Sequence, residues 1–165
     1  MGLQADACDA AADSDRLKEI RSNFDGAGAQ RRPFVGMGDE ISSSTYWHGK
    51  LFDAWASEWV PYFTGGKGEF VTTAMEDTGT LQSLAFLGHA GRVDTQRVMV
   101  LRTVSNFDRP PRGMTAAESL SKQRVGAYSG YLPSLEAAYT VGQVVVKELL
   151  THWGNYAKQI PNGSQ

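Results

Sequence analysis

The chain of 165 residues is poor in cysteine, with Cys8 as its single thiol. One thiol can neither close an internal disulfide nor build a thiolate metal site. Long hydrophobic runs are also missing, since a stretch such as Val98–Leu101 falls far short of the roughly 20 residues that span a bilayer. Residues 1–15 lack the basic and apolar regions of a secretory signal. We therefore expect a soluble protein, cytoplasmic or periplasmic, with no transmembrane segment and no signal peptide in the chain as given.

A strong charge of either sign is also missing. Lys and Arg number 16 against 18 Asp and Glu, which leaves a net charge of −2 and a pI near 5.9. Such a chain is not drawn to a polyphosphate backbone, so we expect no nucleic-acid partner. Hydrophobic residues make up 41% of the chain, which is typical of a folded protein. The length fits a single domain over residues 1–165.

The apolar periodicity predicts strands that alternate with helices. Period-2 or continuous apolar runs predict strands over residues 34–41, 69–74 and 98–105. Helical spacing predicts helices over residues 5–24, 47–59 and 76–91, a short helix from Thr115, and a last helix with Pro133 in its first turn. This alternation favours an α/β fold with a largely parallel sheet. Three strands leave a narrow sheet with exposed edges, so we expect a larger fold or an oligomer.

An aromatic stripe marks the second of these helices. Trp47, Leu51, Trp55 and Trp59 recur every four residues, which places them on one helix face. We expect this face to pack in the core against the sheet, because large apolar stripes usually do so.

Polar side chains follow each predicted strand at its carboxyl end, where ligands bind in open α/β sheets. They lie in residues 39–48, 75–78 and 102–108, which offer aromatic rings, carboxylates and an amide. This combination suits a sugar with an attached heterocycle. Purely structural roles also explain these residues. Glu76 and Asp77 start a helix, where carboxylates favour the helix dipole, and residues 105–106 can form a simple turn. The histidine spacing predicts no metal site.

These same segments resemble the purine nucleoside permease family. The likeness rests on GDEISSSTYWHG, FVTTAMEDTGTLQSLAFLGHAGRVD, RVMVLRTVSNFDRPP and LPSLEAAYTVGQVVVKELL, in the family's order, and runs from about residue 16 to 153. It implies a member of the nucleoside phosphorylase superfamily, with a three-layer α/β/α sandwich and a purine nucleoside site. The resemblance covers only the carboxyl-terminal half of chains about twice as long. We therefore expect an incomplete sandwich, either a fragment or a chain completed by other chains in a homo-oligomer or by a missing amino-terminal half.

The resemblance also implies roles for single residues in binding. Tyr46, together with Trp47, corresponds to the aromatic position against the purine. Met75 and Glu76 match a Met-Glu pair, in which Glu76 is expected to hold the ribose hydroxyls.

Ser105 and Asn106 match the pair that lies near the base nitrogen. Asn106 is the candidate catalytic residue, through a hydrogen bond to N7 or O6 of the base. An amide cannot deliver a proton as a carboxylic acid does, so acid-assisted cleavage is in doubt and binding stays open.

Three functions remain in consideration. The first is a purine nucleoside-binding protein that serves nucleoside uptake. The second is an enzyme that cleaves the N-glycosidic bond of purine nucleosides, as a phosphorylase or a hydrolase. The third is an inactive, truncated remnant. We expect purine nucleosides as partners and no cofactor, with phosphate a co-substrate only for a phosphorylase.

Overall fold

The structure is a computed structural model that describes residues 7, 11, 13–122 and 130–159. It combines helices with a small parallel sheet, as an α/β chain requires. In chain order the elements are α1 (Asp15–Arg21), α2 (Ala27–Gln30), β1 (Asp39–Ser42), α3 (Lys50–Phe63), β2 (Phe70–Ala74), α4 (Asp77–His89), a 3₁₀ turn (Thr95–Arg97), α5 (Ala116–Lys122), α6 (Tyr131–Thr151) and α7 (Trp153–Tyr156).

Strands β1 and β2 pair in parallel, and α3 is the crossover that a parallel pair needs. Ile41 stands opposite Thr73, and the ladder continues where the Ser43 N–H donates to the Ala74 carbonyl at 3.1 Å. Just before the sheet, Gly38 lies so close to Val71 that a Cβ built there would stand 2.3 Å from a Val71 methyl group. Glycine is therefore required for the close approach of these two segments.

The predicted third strand over residues 98–105 is wrong. Val98 is extended, but no residue from 98 to 105 enters a ladder with β1 or β2 within the described ranges. The sequence supplies the apolar run that a buried parallel strand needs, yet a strand also requires a paired neighbour. Within the described residues, the only strands that pair are β1 and β2.

Two other predicted elements are longer than those observed. The first helix is expected over residues 5–24; Ala7 is helical, but residues 11, 13 and 14 are not, and α1 begins at Asp15, where the Ser14 hydroxyl accepts the Leu17 N–H at 3.2 Å. Residues 5, 6, 8–10 and 12 of that prediction lie outside the described ranges. The strand expected over residues 34–41 is paired with β2 only from Asp39, and Met37, ahead of it, is 91% exposed.

The aromatic stripe is only half-buried. Trp47 precedes α3, stacks on Trp55 at 5.2 Å between ring centroids, and is buried. Trp55 and Trp59 continue the stack at 3.7 Å but remain 37% and 42% exposed, and Leu51 points into solvent. The prediction that the whole stripe packs in the core is therefore wrong for its outer members, because the narrow two-stranded sheet offers too little surface to cover them.

Candidate functional site

The carboxyl ends of β1 and β2 are tied together by one serine and one threonine. The Thr78 N–H donates to the Ser42 hydroxyl at 3.0 Å, and the Thr78 hydroxyl donates to the Ser42 carbonyl at 2.6 Å. Ser42 ends β1, and Thr78 lies in the first turn of α4 after β2. This double contact fixes the loop that carries Met75 and Glu76 relative to β1.

Arg102 joins the unpaired segment to both strand ends. Its Nη2 donates to Glu76 Oε2 at 2.9 Å, and its Nε lies 3.3 Å from Asp77 Oδ2 and 3.7 Å from Glu40 Oε2. Three carboxylates thus surround one guanidinium. Arg102 thus links the loop that carries Met75 and Glu76 to the segment that carries Ser105 and Asn106.

The carboxylates of this cluster differ in their electrostatics. The hydrogen bond from Arg102 holds the pKa of Glu76 below its usual value. Burial, and then the neighbouring Asp77 carboxylate, raise the pKa of Glu40 to about 7. One guanidinium cannot balance three nearby negative charges, so a proton on Glu40 relieves their mutual repulsion near neutral pH. The cluster can therefore present one charged carboxylate, Glu76, beside one protonated carboxyl, Glu40.

Ser105 and Asn106 are half-buried and hydrogen-bonded to each other. The Ser105 hydroxyl donates to Asn106 Oδ1 at 3.1 Å, and the Asn106 amide donates to the Phe107 carbonyl at 3.4 Å. Phe107 packs against Phe24 with 4.1 Å between the ring centroids, which anchors the end of the segment to the loop after α1. The amide of Asn106 is thus held in place and offers hydrogen bonds without an acidic proton.

The two aromatic candidates differ in accessibility. Trp47 is buried in its stack with Trp55, whereas the Tyr46 ring is 44% exposed and lies 6.3 Å from the His48 ring. Met75 is also exposed. Of these three candidates, Tyr46 and Met75 are therefore accessible and Trp47 is not.

An open cavity of about 1000 Å³ adjoins this cluster. Of the predicted site residues, Ser105 and Asn106 line it, while Glu76 is linked to it through Arg102. Tyr46, Trp47 and Met75 are not among its lining residues. Of the predicted site, the amide part lines this cavity, whereas Glu76 and the aromatic part do not.

Sequence reasoning did not find the roles of Arg102 and Glu40. The signal was present in the run VMVLRTVS, where one arginine interrupts an otherwise uncharged segment. A charged side chain in such a run usually indicates paired carboxylates nearby. Glu40 gave no signal of its own, because its burial depends on how β1 and the distant segment meet.

Two kinds of feature are absent from the described residues. No group of three or more His, Cys, Asp or Glu side chains there is placed to hold a metal ion. In the same part of the chain no helix has the length and apolar character to cross a membrane.

Comparison with known proteins decides the family. Residues 4–161 match the sequence profile described as purine nucleoside permease. The chain belongs to the purine nucleoside permease family. It is 29% identical over 140 residues to a purine nucleoside permease of Candida albicans, which covers 85% of this chain and 34% of that protein. A permease of Candida albicans strain SC5314 is 30% identical over 135 residues, with 82% and 32% covered.

A further relative is a probable purine nucleoside permease of Schizosaccharomyces pombe, which is 27% identical over 143 residues, with 86% of this chain and 40% of that protein covered. This family member therefore spans roughly a third of the length of the curated relatives it matches. No solved structure is significantly similar to it.

Proposed function

We propose that this chain binds purine nucleosides at the carboxyl ends of β1 and β2 and thereby serves nucleoside uptake. The observation that carries the proposal is the contact of Arg102 with Glu76, which links the loop of the Met-Glu pair to the segment that carries Ser105 and Asn106. Membership of the purine nucleoside permease family supports the substrate class.

Each residue has a stated role in this proposal. Glu76 accepts hydrogen bonds from the ribose hydroxyls, since a carboxylate has two acceptor oxygens. Arg102 positions Glu76 and keeps it ionised. Ser105 and Asn106 bind the edge of the base, and Tyr46 supplies an accessible ring against the face of the purine. Met75 and Trp47 complete the aromatic and apolar side of the site.

Thermal unfolding with and without nucleoside tests the proposal. Ligand that binds the folded chain raises the unfolding midpoint by mass action. We expect inosine and adenosine at saturating concentration to raise the midpoint, and uridine at equal concentration to leave it unchanged. The Glu76→Ala variant should lose the shift, whereas Glu58→Ala, on an exposed face of α3, should keep it. Equal shifts with uridine, or an unchanged shift in Glu76→Ala, would contradict the proposal.

Cleavage of the N-glycosidic bond is a second candidate, favoured by the environment of Glu40. Glu40 lines the same cavity as Asn106, and its raised pKa of about 7 leaves it partly protonated at neutral pH. Such a carboxyl can donate the proton that a departing purine requires, which Asn106 cannot. Water or phosphate would then bond to the sugar carbon from which the base departs. Chromatography that detects free base accumulating in proportion to protein supports cleavage, and intact nucleoside after prolonged incubation contradicts it.

We also propose the finer assignment of the fold. In this view the chain corresponds to the carboxyl-terminal half of a nucleoside phosphorylase-type α/β/α sandwich and is completed by further chain or by oligomerisation. The parallel strand pair with its helical crossover supports this, as does the exposure of many large apolar side chains. Light scattering after size-exclusion chromatography gives the oligomeric state. A monodisperse monomer with a cooperative unfolding transition would contradict the need for completion.

A further inference from the structure

The segment that carries Ser105 and Asn106 has no backbone ladder to fix it. Within the described ranges, residues 98–107 lie in no helix or strand and make no backbone-to-backbone hydrogen bond. The position of the two site residues therefore depends on side-chain contacts on either side of them. On the amino-terminal side, Arg102 supplies such contacts at the strand ends.

A second set of contacts lies on the carboxyl-terminal side, where the segment meets the start of α3. The Gly49 N–H donates to the Asp108 carbonyl at 2.6 Å. Nε of Arg109 donates to Asp53 Oδ2 at 2.7 Å, and Nη2 of Arg109 donates to the same oxygen. Asp53 lies in the first turn of α3, with 11% of its side chain exposed. We call Asp53, Asp108 and Arg109 the Asp53 cluster.

Asp53 contacts both other members of the Asp53 cluster. Burial, and then a hydrogen bond with Asp53, raise the pKa of Asp108 to about 6. This hydrogen bond needs a proton between the two groups, because ionised carboxylates only accept hydrogen bonds. Below about pH 6, Asp53 thus ties two consecutive residues of the segment to α3.

Asn106 lies close to the Asp53 cluster along the chain. It precedes Asp108 by two residues, and two residues of extended chain span at most about 7 Å. Between them, the Phe107 ring packs against Phe24 on the loop after α1. One ring contact leaves the backbone free to turn about it, whereas a second contact on α3 fixes its orientation. The direction of the Asn106 amide therefore depends on the Asp53 cluster.

We propose that Asp53 is a positioning residue for the nucleoside site, because it holds residues 108 and 109 on α3 and thereby sets where the Asn106 amide meets the purine edge. Asp53 is not among the residues that line the cavity, so it acts through Asn106. The inference rests on the proposed nucleoside site. Glu76 is held separately by Arg102, so the ribose side of the site should not depend on Asp53.

Titration calorimetry at about pH 5.5, below the pKa of Asp108, tests the proposal. The base-edge preference is the affinity for inosine divided by that for 7-deazainosine, which lacks N7, or for purine riboside, which lacks O6, whichever ratio is larger. The ribose preference is the affinity for inosine divided by that for 2′,3′-dideoxyinosine. We expect a base-edge preference of about fivefold or more in the parent chain. Asp53→Ala should lower it to about one and leave the ribose preference within about twofold of the parent value.

Asp53→Asn is the conservative variant. Its amide can accept from Arg109 and donate to Asp108, so it should retain the base-edge preference. Glu148→Ala is the matched control, because Glu148 also contacts two side chains, those of His152 and Tyr156, and does not line the cavity. It should keep both preferences.

Arg109→Met keeps the proposal testable if Asp53→Ala does not fold. The Arg109 side chain is 59% exposed, so its replacement disturbs the packing less than a change at the buried Asp53 does. Arg109→Met should lower the base-edge preference and leave the ribose preference in place.

The outcomes separate this inference from the proposed function. No inosine binding by the parent chain would contradict the proposed function, and the inference would fall with it. Inosine binding without a base-edge preference in the parent chain would contradict the role of Asn106 and the inference together. An unchanged base-edge preference in folded Asp53→Ala or Arg109→Met would overturn the inference alone. Loss of both preferences together would also overturn it, because it would show a general loss of structure.

Discussion

Replacing Glu40 with glutamine should change how stability depends on pH. Glu40 lies beside Asp77 and Arg102 with 17% of its side chain exposed, and its pKa is raised from an ordinary 4.5 to about 7. The folded chain therefore holds this proton more tightly than the unfolded chain does. Stability from this group is present below about pH 4.5 and is lost as the pH rises through 7.

The magnitude follows from the displacement of the pKa. A rise from 4.5 to about 7 corresponds to a ceiling of about 3 kcal/mol in the free energy of unfolding. Solvent around the partly exposed cluster screens the repulsion, so we expect a net effect of about 1 kcal/mol. Glutamine cannot ionise, so it should remove the free-energy cost of ionising residue 40 in the folded chain. Glu40→Gln should thus gain stability relative to the parent chain as the pH rises from 5, and exceed it by about 1 kcal/mol at pH 8.

Urea denaturation at pH 5, 6, 7 and 8 measures the difference between the two proteins. Other titrating groups, such as Asp108, are present in both proteins, so their contributions cancel in the difference between the two free energies of unfolding. Glu58→Gln on an exposed face of α3 is the matched control and should show no pH-dependent difference. Curves for Glu40→Gln and the parent chain that stay parallel from pH 5 to 8 would refute the reasoning, because the Glu40 carboxyl would then titrate alike in both states.

Three further predictions follow from the packing and the ion cluster. Trp55→Ala should lower the free energy of unfolding by about 2–3 kcal/mol, measured by urea denaturation. This is less than the loss for a fully buried tryptophan, because the ring is 37% exposed. Unchanged stability would mean that the stack of Trp55 contributes nothing. Gly38→Ala should cost about 1–3 kcal/mol, since its Cβ would overlap Val71; unchanged stability would contradict the close approach. Arg102→Met should weaken inosine binding about fivefold or more, and Arg102→Lys less, measured by titration calorimetry; equal affinities would remove Arg102 as a positioning residue.

Local pattern predicted those elements whose signals lie within one segment. Strand β2 and helix α4 agree closely with their predicted ranges, because their periodicity and end signals are local. The strand expected over residues 98–105 failed for the opposite reason: its apolar run is local, but its pairing depends on a neighbour elsewhere. The same distinction explains why Glu76 was predicted at a strand end while the contact of Arg102 with Glu40 was not.

For the aromatic stripe, the sequence predicted the helix face but not the degree of burial. Helical spacing correctly placed Trp55 and Trp59 on one face of α3, where they stack. How far they are buried depends on how much sheet lies beneath the helix, which periodicity does not report. The unpaired segment and the half-exposed tryptophans go together with a sheet that has two strands in the described part of the chain.

The central claim is that Glu76 holds the ribose hydroxyls of a purine nucleoside at the strand ends. Titration calorimetry that compares inosine with 2′,3′-dideoxyinosine tests it most directly, in the parent chain and in Glu76→Ala. The account predicts that the parent chain binds inosine at least about tenfold more tightly than the dideoxy analogue, because hydrogen bonds to a charged acceptor are lost, and that Glu76→Ala binds the two alike. Equal affinity of the parent chain for both ligands, or an undiminished preference in Glu76→Ala, would contradict it.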